Sequence, residues 1–193
     1  TAKTAFLTTI GHPDILVFRE GGRVEPFDFT VSFPKPFVPR SLTYEVSERV
    51  AYDGRVVKKL DKENIIETLK ELNRNNIEAI GVCLLWSIVN PIHENQIGKL
   101  IEEYLPNIPY TLSHRINPSL REYRRASSTV IDAALKPLMG TYLGGLSKNL
   151  REAGFEGRVL VVTTQGGAMD AQDMAESPIH SINSGPAMAP VAG

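Results

Sequence analysis

Apolar positions along the chain fall into short runs separated by helical stripes. Ala5, Phe6, Leu7 and Thr8 read as a strand that begins almost at the first residue. Pro13 to Phe18 is a short apolar stretch, open between a helical turn and a strand, and Gly21 and Gly22 break the pattern after it. Next, Pro26, Pro34, Pro36 and Pro39 interleave with Phe27, Phe29, Phe33 and Phe37. That stretch is too proline-rich for a central strand and too aromatic for a free linker. An extended arm packed on a surface is expected, with a proline-rich ligand for a partner domain as the alternative. Leu42 to Val50 alternates as a half-buried strand does, and Val56 to Leu60 returns after Asp53-Gly54 as its hairpin partner.

Asp61 is placed to cap a helix running to about Asn75, with Ile65, Ile66, Leu69 and Leu72 on its inward stripe. Glu78 to Trp86 is nearly unbroken apolar sequence, as in a strand buried on both faces of a parallel sheet. Cys83 inside it reads as a core residue, since nothing nearby supplies a base. Asn90 and Pro91 open a second helix whose inward face is Ile97, Leu100, Ile101, Tyr104 and Leu105, and Ile108 to Ser113 is a further short strand. A long helix is predicted from about Leu120 to Ala153, with Tyr123, Ser127, Val130, Ile131, Ala134, Leu135, Leu138, Tyr142, Leu146 and Leu150 along one mostly apolar face. Pro137 lies mid-pattern and predicts a kink or a break there. Arg158 to Thr163 reads as another buried strand, followed closely by Gln165-Gly166-Gly167. Strands alternating with helices give an α/β fold class.

Composition narrows the function classes. Twenty-one basic and 22 acidic residues give a formal charge of -1, so no global field attracts nucleic acid or an anionic membrane. A single cysteine cannot form an internal disulfide, and four histidines without metal-ligand spacing give a structural zinc site little to draw on. This fits a reducing, cytoplasmic setting. No apolar run reaches the roughly 18 residues of a membrane span. The chain opens inside a strand and closes on Ser184-Gly185-Pro186 as a helix begins, so it reads as a fragment, the alternative being a small domain with short ends.

Three places suggest chemistry. Gly166 and Gly167 at the carboxyl end of a strand would let backbone donors approach a ligand, or they simply form a turn. Ser184 and Gly185 at a helix start offer unpaired amides to an anion, or to water. Arg121, Arg124, Arg125 and Ser128 would share one helix face, where three arginines in the first turns oppose the dipole. Glu122, another carboxylate or a bound anion should offset them; otherwise they form a solvated surface. No G-x-S-x-G, G-x-x-x-x-G-K-[ST] or G-x-G-x-x-G motif is present.

In order, "AIGVCLLWSIVNPIHE", "LREYRRASSTVIDAALKP", "QGG" and "SGPA" resemble the hydantoinase A and 5-oxoprolinase family of ATP-dependent cyclic-amide hydrolases, nearly end to end. Relatives in that family include subunits of acetone and acetophenone carboxylases. The resemblance implies a fragment of the actin-like, ribonuclease-H-like ATPase fold, a mixed sheet with flanking helices. Residues 1–157 would be the later part of the family's N-terminal domain, and 158–193 the start of the hydantoinase A domain. The opening "KTAFLTTIGHPDIL" is similar to the threonine-containing segment after the family's first phosphate loop. Trp86 stands where the family often has histidine, and Gln165 where it often has asparagine or aspartate.

By resemblance, the parent protein uses ATP and magnesium to phosphorylate the carbonyl oxygen of a cyclic amide, and a hydantoinase B-type partner subunit completes ring opening. Gln165, Gly166 and Gly167 would line the nucleotide cleft. Ser184 and Gly185 would lie near the second phosphate loop, and Arg121, Glu122 and Arg124 would support or face it. The family's phosphate loops lie before Thr1 and after Gly193, so this segment alone is expected not to hydrolyse ATP. Two other readings stay open: a subunit of an ATP-dependent ketone carboxylase, and a non-catalytic interaction domain.

Overall fold

The structure is a computed structural model that describes residues 2–192 except 22–24, 26 and 33, with the backbone alone for 190–192. Gly22, Pro26 and Phe33 therefore lie outside the described residues. Four strands form a wholly parallel sheet: β1 (Thr4–Thr9), β2 (Thr43–Val46), β5 (Ala79–Cys83) and β6 (Tyr110–Leu112), in the order β2-β1-β5-β6. Two antiparallel ribbons stand apart from it. One pairs β3 (Arg49–Val50) with β4 (Val56–Lys58), and the other pairs β7 (Leu160–Val162) with β8 (Ala168–Asp170). The α/β class is as expected, with the antiparallel pairing confined to the ribbons.

Alternation along β1 and β5 divides the core in two. Ala5, Leu7, Ile80 and Val82 face a cluster with Ile65, Leu69 and Leu72 of α2 (Lys62–Arg74) and Ile97 and Ile101 of α3 (Ile92–Tyr104). Phe6 and Cys83 face the other way, toward Leu16 of the short helix α1 (Ile15–Phe18), Val38, and Ala126 and Val130 of α5 (Glu122–Glu152). Gly81 lets α5 approach closely, because a Cβ there would lie 3.1 Å from Val130 Cγ1. Burial drives the Cys83 thiol pKa up to about 12, in keeping with an inert core residue.

Helix ends follow their sequence signals. The Asp61 carboxylate accepts the Asn64 amide at 3.1 Å, and α2 closes through Asn76 at φ 51, with Ile77 N donating to Leu72 O. Gly154, at φ 86, closes α5 in the same way.

Six expectations are corrected. The run from Leu42 to Val50 is two strands, because β2 joins the parallel sheet and the chain then turns so that β3 pairs with β4. Tyr104 is 39% exposed, so it lies off the inward stripe of α3. In the arm, Val38 is buried but Phe27, Phe29 and Phe37 are mostly exposed. Of the kink or break expected at Pro137, the break does not occur: α5 runs through it, one half packing on the sheet and the other, through Leu143, on Ala171 and Met174 of α6 (Ala171–Glu176). Packing on both sides of the proline outweighs the lost backbone bond. The inward face of α5 is Arg125, Ala126, Thr129, Val130, Asp132 and Ala133, while Leu138 and Tyr142 are exposed. Lastly, β7 is a ribbon strand with Leu160 56% exposed, not a strand buried in a sheet.

Asp132 ties the later part of the chain to this core. Its buried carboxylate accepts the Thr111 hydroxyl at 2.7 Å and the Ile179 amide at 3.1 Å. Burial raises its pKa, and burial lowers that of its neighbour Lys136.

Candidate functional site

The carboxyl ends of β1, β5 and β6 converge on one set of buried polar groups, on the edge where open α/β sheets form ligand crevices. Glu94, in the first turn of α3, is fully buried and accepts four hydrogen bonds. They come from the Leu84 amide at 2.9 Å, the Ser113 hydroxyl at 2.5 Å, the His114 amide at 3.1 Å and His114 Nδ1 at 2.5 Å. Burial alone would raise the Glu94 pKa. The bonds from His114, Ser113 and the two amides outweigh it and hold the carboxyl below its usual range.

Arg125 sits opposite, 1% exposed. Its guanidinium donates to Ser113 Oγ at 3.1 Å, Leu84 O at 2.8 Å and Ser119 O at 3.1 Å. Ser113, which opens the short helix α4 (Ser113–Ile116), thus links the buried cation to the buried carboxylate, and Ser87 Oγ lies 3.1 Å from it. A second carboxylate, Glu48, is also fully buried; it accepts the Thr9 hydroxyl and pairs with His93 Nδ1 at 2.7 Å. Thr9 Oγ1 in turn accepts the Leu85 amide at 3.0 Å, so both carboxylates pin the turn after β5. Trp86 follows in that turn with φ 57, a left-handed backbone uncommon for a bulky side chain.

The residues singled out from sequence fall in two other places. Gln165, Gly166 and Gly167 form the turn of the β7–β8 ribbon rather than the end of a parallel strand. The Gly166 amide donates to Thr163 O at 3.1 Å and the Gly167 amide to Thr163 Oγ1 at 3.2 Å, so both are engaged within the turn. Thr164 carries this turn to the start of α7 (Ser184–Ala192), because its amide meets His180 O at 2.7 Å and its hydroxyl meets Ile182 O at 2.5 Å. The two glycine-containing candidates are therefore brought together. Ser184 is the first residue of α7 and not the cap before it: the Ala187 amide bonds to Asn183 O at 3.2 Å. A Cβ at Gly185 would meet nothing within 4 Å, which leaves that helix start open.

Arg121, Glu122 and Arg124 stand at the start of α5. Arg121 precedes the helix at φ 75 and Glu122 is in its first turn. Arg124 is exposed and pairs with Glu20 at 2.6 Å, and its hydrogen bond lowers the Glu20 pKa. Arg125, expected on the same exposed face, instead points inward. Sequence reading misplaced Arg125 and did not single out Glu94, Ser113, His114, Glu48 and His93 as site residues. A signal was present: Ala126, Ala133 and Gly81 are small residues that mark a close helix–sheet contact, and Arg125 shares that stripe. Among the described residues, no group of three or more His, Cys, Asp or Glu is placed to hold a metal ion. No helix of the described chain is long and apolar enough to cross a membrane.

A parallel sheet with helices on both faces and charged groups gathered at the carboxyl ends of its strands defines an open α/β protein with a buried polar edge. The chain belongs to the hydantoinase/oxoprolinase family: residues 1–105 match the Hydantoinase/oxoprolinase N-terminal region and residues 125–193 match Hydantoinase/oxoprolinase. It is 31% identical over 193 residues to the caprolactamase subunit alpha of Pseudomonas jessenii, covering 99% of this chain and 28% of that protein. The crystal structure of the ATP-dependent caprolactamase from that organism matches with a TM-score of 0.91, covering 100% of this chain and 28% of that one. The acetophenone carboxylase gamma subunit of Aromatoleum aromaticum is 31% identical over 197 residues, covering 95% of this chain and 27% of that protein. The 5-oxoprolinase of Saccharomyces cerevisiae is 27% identical over 212 residues, covering 96% of this chain and 16% of that protein. The chain thus spans less than a third of the length of these relatives.

Proposed function

We propose that this chain is one part of a subunit of an ATP-dependent cyclic-amide hydrolase, and that the carboxyl edge of its parallel sheet faces the reaction. The supporting observation is the convergence of Glu94, Ser113, His114 and Arg125 on that edge in a chain 31% identical to a caprolactamase subunit. An unstrained amide carbonyl is a poor electrophile, and ATP supplies the phosphoryl group that makes its oxygen a leaving group. Within this chain, the first turn of α7 at Ser184 and Gly185 suits an anion, as helix starts do. Gln165, Gly166 and Gly167 would line the cleft beside it as a wall, since the two glycine amides are already engaged. Arg121, Glu122 and Arg124 would support the phosphates from the start of α5. Magnesium in nucleotide sites is held by the phosphates with one or two carboxylates, and no step is drawn through that ion.

His114 has its Nδ1 held by Glu94, which leaves Nε2 as the end available for proton exchange, the arrangement by which a carboxylate orients an imidazole. Arg125 and Ser113 act as positioning residues for this pair. Following the expected division, residues 1–157 form one domain and 158–193 begin the next. Leu160 and Val162 are exposed on the outer side of the β7–β8 ribbon, as they would be if further chain covers them. A hydantoinase B-type subunit is the proposed partner.

The test is ATP consumption by the full-length protein with that partner. At least one of hydantoin, 5-oxoproline and caprolactam is expected to raise turnover at least tenfold over no substrate, with ring-opened product formed. Stimulation only by ketones plus bicarbonate would overturn this reading and favour the carboxylase alternative, which the acetophenone carboxylase relative supports.

A further inference from the structure

The β3–β4 ribbon carries chemistry that the fold itself does not use. Every residue of β4 is exposed, with Val57 at 64%, and Tyr52 in the connecting turn is 72% exposed. The ribbon has only two strands, so the outer backbone edge of β4 has no strand against it in the described chain. Bare apolar edges of this kind invite pairing with another chain, and proteins normally cover or charge them. The patch continues beyond the ribbon. Tyr52 meets the Trp86 ring edge-on at 6.5 Å, and Gly54 lies against the half-exposed Val89, with Asn90 Nδ2 donating to Gly54 O at 2.8 Å. An aromatic anchor on a rigid backing, surrounded by valines, is the make-up of an interface hot spot.

The charges around the patch select the partner. Arg49 and Lys58 are register partners across the ribbon, and like charges facing each other there are destabilising. Lys59 follows, and Asp53 is already paired with Arg55 at 2.6 Å. Among the described residues no carboxylate forms an ion pair with Arg49, Lys58 or Lys59. A cationic rim held in mutual repulsion around an apolar centre fits a surface with an apolar centre and acidic rim. We infer that this ribbon, with the turn after β5, is the docking surface for the companion subunit, which would present carboxylates to Arg49, Lys58 and Lys59. The inference rests on the multi-subunit reading above, in line with relatives named as alpha and gamma subunits. Its position next to Trp86 would also place the second subunit beside the reactive edge.

The test uses the full-length protein and the hydantoinase B-type subunit of the same organism, purified separately. Hydrogen exchange at residues 50–58 is expected to be fast in the full-length protein alone and at least tenfold slower in the complex. Val57→Asp is expected to weaken the complex at least tenfold in Kd. Lys58→Glu, a surface change that leaves folding intact, is expected to slow association and flatten its salt dependence. Protection of residues 50–58 in the full-length protein alone would show that its own chain covers the ribbon, and would overturn the inference. So would a Kd within twofold of wild type for both variants, with the complex otherwise normal. Absence of any complex between the two proteins would overturn the multi-subunit reading, and this surface with it.

Discussion

Arg125→Ala is expected to cost the protein about 3–5 kcal/mol of stability. The guanidinium is 1% exposed and is the donor to Ser113 Oγ, Leu84 O and Ser119 O. Its loss strips these acceptors of a charged partner, leaves Ser113, the hydroxyl that bonds Glu94, without its charged donor, and opens a cavity between α5 and the carboxyl ends of β5 and β6. The neighbouring Arg124→Ala is the control. Arg124 is mostly exposed and its pair with Glu20 is at the surface, where such pairs contribute roughly 0–1 kcal/mol. Urea unfolding of both variants in the full-length protein checks the contrast. Equal small losses would show that the Arg125 network is not a structural frame.

The second large effect concerns Glu94. The folded protein holds this carboxyl below its ordinary value of 4.5, so its ionised form contributes stability that is fully present above that pH. That stability is lost as the pH falls through the folded value, because the four donors around Glu94 then face a protonated acid. Glu94→Gln keeps the shape but replaces one acceptor oxygen with an amide NH2, which opposes either the Leu84 and Ser113 donors on Oε1 or the two His114 donors on Oε2. At pH 7 it is expected to cost about 2–3 kcal/mol. The gap from wild type should narrow steadily as the pH is lowered from 5, since acid removes the advantage that the variant lacks. A gap that stays constant down to the acid limit would contradict the assignment.

How far the sequence revealed this arrangement depends on which forces acted locally. The apolar run of β5, the Asp61 cap and the Gly154 helix end depend on nearby residues, and all three were legible. Leu42 to Val50 misled because alternation records half-burial and not the partner strand, so β2 and β3 read as one. Arg158 to Thr163 is apolar enough for a core strand, yet its outer residues are exposed in the described chain. Arg125 was misplaced because charge was taken as a sign of solvent. A buried arginine is stabilised only by acceptors that the fold gathers from Leu84, Ser113 and Ser119, distant in sequence. His114 was set aside for lacking metal-ligand spacing, although its place just after a strand's carboxyl end pointed to the edge where it lies. For the phosphate candidates, the hairpin turn and the start of α7 were legible as local motifs. The Thr164 bonds that bring them together were not.

The central claim is that Ser113, by linking Arg125 to Glu94, positions His114 for the reaction and does more than hold the fold together. The most direct measurement is ring-dependent ATP turnover by Ser113→Ala in the full-length protein with its partner, alongside urea unfolding of the same variant. The expected result is a kcat at least tenfold lower, a KM for ATP within twofold of wild type, and a stability loss of about 1–2 kcal/mol that leaves the protein folded at assay temperature. Wild-type turnover at that stability loss would contradict the claim.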